Sequence, residues 1–342
     1  MGSFKQLALR ALTGRGLTPL YRIVMRRRAT ILMLHRFADP ETGVEGHDPA
    51  LLRAALAWLR RERYRLVDLQ ALLDGLRAGE PGWDRAVAFT IDDGYRDQVA
   101  IGGQVFAEFD CPATTFVTTG FLDGQLWFWW DRIAHVFAST RRPAIAVELE
   151  TGPVRYERGA AGYTAAQADF TERCKHLRDV YKHAAIDRLA ASAEVALPAA
   201  PPTAYAPMSW DELRAAESRG MRFGPHTVTH PILARTPDDQ SRHEITESWR
   251  RLRQQTPRAT PVFCYPNGQL DDFSTRDIGH IRAAGISAAV VGVPGYVQHA
   301  ALTASADAPY LVPRFGYTED LPMLRQYVSG LEALKNVARG SA

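Results

Sequence analysis

Beyond residue 28 the chain alternates short, almost wholly apolar runs with longer stretches in which apolar positions recur every three or four residues. Ala29–Phe37 (ATILMLHRF), Ala86–Asp92 (AVAFTID) and Ala113–Thr119 (ATTFVTT) are of the first kind, and so, much later, are Met221–Pro225, Pro261–Tyr265, Ile286–Val291 and Leu311–Phe315. Runs without a polar face predict strands covered on both sides. Pro49–Arg63 places Leu51, Leu52, Ala55, Leu56 and Leu59 at helical spacing, and Leu69–Leu76 reads as a second, short helix. Helices are also predicted between Asp92 and Phe109 and over about 209–219, 239–255, 274–284 and 319–335. Strand-then-helix repeats of this type predict the α/β class, with a parallel sheet closed or nearly closed into a barrel. In such a barrel the reactive groups sit where strands end and loops begin.

One interval breaks this rhythm. Phe121 to Tyr205 spans 85 residues where a strand-to-helix loop needs only a handful. It holds the aromatic run Trp127-Phe128-Trp129-Trp130, a helical stretch near 165–195 and the linker LPAAPPTAYAP. This predicts a helical insertion over the barrel mouth. Its aromatic run serves either as sugar-stacking platforms or as the core that fastens the insertion to its host. The expected organisation is therefore a basic arm over 1–28 and a barrel over 29–335, interrupted at about 121–205.

Composition fits a folded chain, with 46% hydrophobic and 23% charged residues, and excludes disordered and disulfide-scaffold classes. Cys111, Cys174 and Cys264 are widely spaced and without a CxxC, so they form no zinc ribbon. A net charge of +3 does not suggest nucleic-acid binding. The charge is uneven, because residues 1–28 carry Lys5, Arg10, Arg15, Arg22, Arg26, Arg27 and Arg28 and no acid. That arm either rests on an anionic membrane surface or packs on the domain as a helix. No run is long and apolar enough to span a membrane, and basic residues interrupt every candidate signal-peptide core. The expected location is cytoplasmic, or peripheral at the inner membrane face.

Three motifs fall at predicted strand ends. In Thr90-Ile91-Asp92-Asp93-Gly94 two adjacent carboxylates repel unless a cation or a proton separates their roles. An ordinary solvated turn uses the same letters. In His226-Thr227-Val228-Thr229-His230 the two imidazoles share a face if the segment coils into a helical turn. With Asp93 they make two nitrogens and one oxygen, the three-ligand set of a catalytic zinc site with an open position. Tyr265-Pro266-Asn267-Gly268 is a stiff turn whose backbone N–H can face the mouth and stabilise an oxyanion.

IDDG, HTVTH and YPNG, in this order and at these strand ends, resemble the motifs of polysaccharide deacetylases of the NodB-homology type, carbohydrate esterase family 4. The resemblance covers roughly residues 29–120 and 206–330 and implies a distorted (β/α)7 barrel. It implies that Asp92 is the catalytic base and that Asp93, His226 and His230 hold one divalent metal; the two-histidine, one-aspartate donor set suits zinc and also accepts cobalt or nickel. The family's third motif usually reads R-x-P-Y. Here Cys264 stands at the arginine position and Asn267 at the tyrosine position, which keeps a backbone donor but loses the arginine that steadies the base. Arg314, on the last predicted strand, is the candidate replacement. The family's late Leu-x-His, the source of the general acid, is absent; members with permuted motifs take that histidine from the first strand, which points to His35. The implied activity is metal-dependent removal of N-acetyl groups from an amino-sugar polysaccharide, oligosaccharide or glycan precursor. Two alternatives use the same barrel: hydrolysis of a non-sugar amide, and silent carbohydrate binding.

Overall fold

The structure, a computed structural model, describes residues 25–338. Most of the expected basic arm, residues 1–24, lies outside the described residues. Among the described residues no helix is long and apolar enough to cross a membrane.

The chain begins with β1 (Arg28–Leu34), followed by α1 (Pro49–Arg61) and α2 (Leu69–Arg77). Asp48 and Asp68 cap these helices, their side chains accepting from Ala50 and Ala71 N–H. Then come β2 (Ala86–Asp93) and β3 (Thr114–Val117). All eight residues of β2 are buried, which is why this run lacks the alternation of a half-solvated strand. β1 pairs parallel with β2, and β2 with β3. After the intervening segment, α6 (Trp210–Ser218) leads into β6 (Arg222–Pro225), parallel to β3. α7 (Asp238–Gln255), β7 (Val262–Cys264), α8 (Thr275–Ala283) and β8 (Ala288–Val290) follow, with β7 and β8 parallel. Val290 bridges in parallel to Val312, and β9 (Phe315–Gly316) returns to pair parallel with β1.

The parallel strands thus wind round from β1 through β2, β3 and β6, and from β7 through β8 and β9 back to β1. Between β6 and β7 there is no ladder among the described pairings. Single hydrogen bonds connect them, Thr260 N–H to Phe223 O at 2.7 Å and His226 Nδ1 to Cys264 O at 2.8 Å. At that gap the parallel sheet is interrupted. The expected last strand shrinks to Phe315–Gly316, and the expected helix over 319–335 divides into α9 (Leu321–Ser329) and α10 (Leu331–Ala338). Gly330 separates them at φ 88°, a left-handed cap that ends a helix.

The segment between β3 and α6 has as its longer helices α3 (Trp129–Ser139), α4 (Thr164–Lys175) and α5 (Asp179–Ser192). It also contains an antiparallel hairpin of β4 (Ala144–Leu149) and β5 (Gly152–Glu157), an addition to the helices expected there. The segment has its own apolar cluster, including Ile133, Phe137, Val147, Phe170, Ile186 and Leu189. Each such buried side chain contributes about 1.5–3 kcal/mol relative to exposure.

Candidate active site

Strand register builds the site. Asp93 lies level with Val117 of β3, and Val117 with Pro225 of β6, so His226 emerges beside Asp93 at the carboxyl edge of the sheet. Asp93 takes φ 96° and Gly94 φ 104°. This backbone region is costly for a residue with a Cβ, and it persists only where the surroundings over-determine it. Gln98 supplies much of that restraint. Its Oε1 accepts the Gly94 N–H at 3.1 Å, while its Nε2 donates to the carbonyls of Asp92 at 2.5 Å and His35 at 2.7 Å. One buried amide therefore fastens the carboxylate pair to the end of β1.

The helical turn expected at 226–230 does not form. The segment is an irregular loop in which Thr227 and His230 have φ 65° and 60°. The imidazoles meet because α7 holds that loop from beneath. Glu244 accepts from the N–H groups of Val228 and Thr229, both at 2.8 Å, and from Thr229 Oγ1 at 2.6 Å. Thr227 Oγ1 accepts the His230 N–H at 2.9 Å. Replacing Glu244 by Ala strands two backbone donors, so a loss of about 2–4 kcal/mol in denaturant unfolding is expected. Metal affinity is expected to fall about 10–100-fold, as for other groups that orient ligands. Unaltered metal titration in that variant would show that the loop holds its shape without Glu244.

The three donors converge. Asp93 Oδ1 is 3.6 Å from His226 Nε2 and 3.5 Å from His230 Nε2, separations too long for good hydrogen bonds. All three ligand atoms lie within 4.8 Å of one another. A His226 Nδ1–H donated to Cys264 O leaves the Nε2 lone pair facing Asp93. His230 Nδ1 is buried without a hydrogen-bond partner among the described residues. Burial and the neighbouring His226 push His230 down to about 3, which keeps the ring neutral as a metal ligand must be. Burial opposes ionisation of Asp93, but protonated imidazoles beside it outweigh that and lower its pKa, and His226 is raised in turn despite its own burial; a bound cation would take the place of that proton. A carboxylate and two imidazoles in this relation fit a divalent cation. The nearby trio Asp92, His226 and Cys264 fits less well. Both Asp92 oxygens are engaged elsewhere, and burial pushes the Cys264 thiol up, away from the thiolate that a metal requires.

Asp92 is engaged by Arg314. The pair is bidentate, NH1 to Oδ1 and NH2 to Oδ2, each at 2.8 Å. Arg314 is itself buried and donates further to Thr90 Oγ1, Val291 O and Cys264 Sγ. Burial would raise the Asp92 pKa, yet the guanidinium overrides it and holds this carboxyl well below the usual range. Cys264 at the family's arginine position thus touches an arginine that arrives from elsewhere in the chain.

Asp92, Asp93, His226 and His230 line a pocket of about 570 Å³ together with His35, Tyr265 and Asn267. Arg314 lies outside the lining and reaches the pocket through Asp92. His35 is exposed at the rim, at the end of β1. The Tyr265 ring is buried and stacked on Phe273 at 3.8 Å, so its side chain is a core group. Asn267 turns at φ 59° beside it. The aromatic run divides its work. Phe128 and Trp129 are buried, while Trp130 stacks on Phe128 at 4.3 Å and meets the His230 ring edge-on at 4.7 Å. This packing wall steadies a candidate ligand.

Gln98, Glu244, Tyr95 and Asp131 escaped the sequence reading. Only Glu244 left a signal, as an acid on the buried stripe of α7 between Ser241 and Ile245.

A sequence model of the family described as Polysaccharide deacetylase matches residues 185–286, the stretch that contains His226, His230 and the Cys264–Asn267 turn. No curated protein matches the chain. Three solved structures share its fold. Streptococcus pyogenes deacetylase PplD in complex with acetate is 17% identical, with TM-score 0.56, covering 88% of this chain and 98% of its own. IcaB from Ammonifex degensii is 15% identical, with TM-score 0.54, covering 89% and 97%. A de-N-acetylase from Aggregatibacter actinomycetemcomitans is 13% identical, with TM-score 0.52, covering 86% and 96%. The resemblance to polysaccharide deacetylases, and the α/β fold with a parallel sheet that it implied, are borne out.

Proposed function

We propose that this chain is a metal-dependent hydrolase that removes N-acetyl groups from an amino-sugar polysaccharide, oligosaccharide or glycan precursor. The observation that carries the reading is the juxtaposition at the end of β2. One carboxylate, Asp92, is tied to a buried arginine, and the next, Asp93, faces two imidazoles and, among the described residues, pairs with no arginine or lysine. Adjacent acids then have separate tasks. Asp93, His226 and His230 would hold the divalent ion. Zinc suits the donor set best, and cobalt or nickel are accepted by the same donors. When bound, it supplies Lewis-acid activation of an amide carbonyl and of a water molecule.

The chain's own groups do the remaining work. Asp92 stays ionised and accepts the proton of the attacking water, while Arg314 fixes the direction of its lone pairs. The Asn267 backbone N–H, beside Tyr265, is the donor for the oxyanion that develops on the carbonyl oxygen. As the C–N bond breaks, His35 donates a proton to the departing nitrogen, and acetate and a free sugar amine result. The segment between β3 and α6 supplies Trp129, Trp130, Gln167, Thr171 and Lys175 to the pocket wall, so a substrate reaches the acids past it.

Acetate release from N-acetylglucosamine oligomers, measured beside a panel of simple amides with and without added zinc, tests the reading. Zinc-stimulated release from the oligomers and little from the simple amides is expected. Preference for a simple amide would move the enzyme to another substrate class. Glycan binding with no acetate release would make it a binding protein.

A further inference from the structure

Asp131 sits in the first turn of α3, outside every motif discussed above. It is 5% exposed, and its carboxyl borders the same pocket as Asp92, Asp93 and His35. One of its oxygens accepts the Tyr95 hydroxyl at 2.6 Å, and that hydroxyl accepts Trp130 Nε1 at 2.9 Å. A chain of donors therefore fixes the carboxyl in place. Among the described residues it forms no ion pair. Arg36 is the cation nearest in effect, but it gives Nε to Asp97 at 2.9 Å and an amino group to Ala204 O at 2.6 Å, and it lies over the Tyr95 ring. Burial raises the pKa of Asp131 to about 7; the Tyr95 hydrogen bond and Arg36 oppose that rise, and Asp93 and Asp97 add to it. Tyr205 also faces it electrostatically, and His35 shares its pocket.

A buried carboxyl without a cation is costly, and in a pocket such a group marks a place where a ligand completes the pairing. Three carboxyls line this pocket. Asp92 is committed to Arg314 and Asp93 to the two imidazoles. Asp131 belongs to neither partnership, and one of its oxygens is not taken by the Tyr95 hydroxyl.

We propose that Asp131 recognises the substrate's nitrogen, accepting the amide N–H of the acetylated sugar and pairing with the ammonium of the deacetylated product. The proposal rests on the deacetylase reading above and adds a substrate contact supplied by the segment between β3 and α6. The ammonium provides the positive charge that the protein withholds from Asp131.

The test uses the metal-loaded full chain and Asp131→Asn, whose amide oxygen can still accept the Tyr95 hydroxyl. Binding of a glucosamine oligomer is measured by calorimetry, and kcat/KM is compared between an N-acetylglucosamine oligomer and an aryl acetate ester, which has no nitrogen. A roughly tenfold or greater loss of glucosamine-oligomer affinity is expected, with a similar fall in the amide-to-ester ratio. Should that variant fail to fold, Tyr95→Phe keeps the ring against Phe121 and Phe128 and removes the donor that fixes the carboxyl. Both readouts should then fall in the same direction. Unchanged amine affinity, or equal losses on amide and ester, overturns the proposal. Loss of amine affinity in a protein that releases acetate from no glycan counts against the deacetylase reading while upholding Asp131 as the amine contact.

Discussion

Replacing Asp92 by Asn should lower turnover by about 100-fold or more while the protein still binds its metal. The amide keeps the shape of the carboxyl but cannot accept the water's proton. Its cost in stability follows from Arg314. That guanidinium is buried and loses its charged partner, and breaking such a pair costs about 3–5 kcal/mol. Activity must therefore be read at a temperature where circular dichroism shows the variant folded, with metal content measured on the same sample. Near-normal turnover would move the base elsewhere. The partner substitution gives the converse pH signature. Without Arg314, burial of Asp92 loses its main opposition, so its pKa rises and the carboxylate is protonated at higher pH. In Arg314→Gln the acid limb of kcat/KM should therefore move towards neutral pH. A limb that stays in place would show that Asp92 is not the group titrating.

His230→Ala and Asp93→Ala should each lose both metal and activity, the second large effect. Among the described residues three donors converge there, and removing one leaves two for a cation that typically takes four ligands with water included. The consequences for stability differ. Asp93 occupies a left-handed backbone at φ 96°, so its replacement by Ala keeps the strained φ while removing the charge. His230 packs against Trp130 and Phe128, and its replacement opens a gap in the aromatic wall. Stoichiometric metal in the Asp93/His230 double variant would show that the ion sits elsewhere, and the Asp92–His226–Cys264 trio would be the next place to look.

What could be read from the chain follows the physics of each signal. β2 was legible because a strand buried along its whole length has no polar alternation, and AVAFTIDD has none before its acids. The hairpin of β4 and β5 was present in the alternation of AIAVEL, whose residues are buried and exposed in turn. An interval read as helical concealed it. The histidines were found from their spacing, but the expected geometry was wrong. A four-residue separation suggests a helical turn, whereas Thr227 and His230 reach the same outcome through left-handed backbone tied to Glu244. Arg314 stood out because Cys264 left the base without its usual partner. Gln98 and Asp131 carried no comparable signal, since periodicity reports that a position is buried and not which polar group it meets. Buried polar residues of this kind become visible only when their hydrogen bonds are followed in three dimensions.

The most direct measurement is a metal titration of chelator-treated protein, following acetate release from an N-acetylglucosamine oligomer as zinc is added. Activity should start near zero and rise in proportion to bound zinc, levelling off at one equivalent per chain, with Asp93→Ala flat throughout. Full acetate release by the metal-free protein, or a rise in Asp93→Ala that matches the parent, would contradict a single ion held by Asp93, His226 and His230.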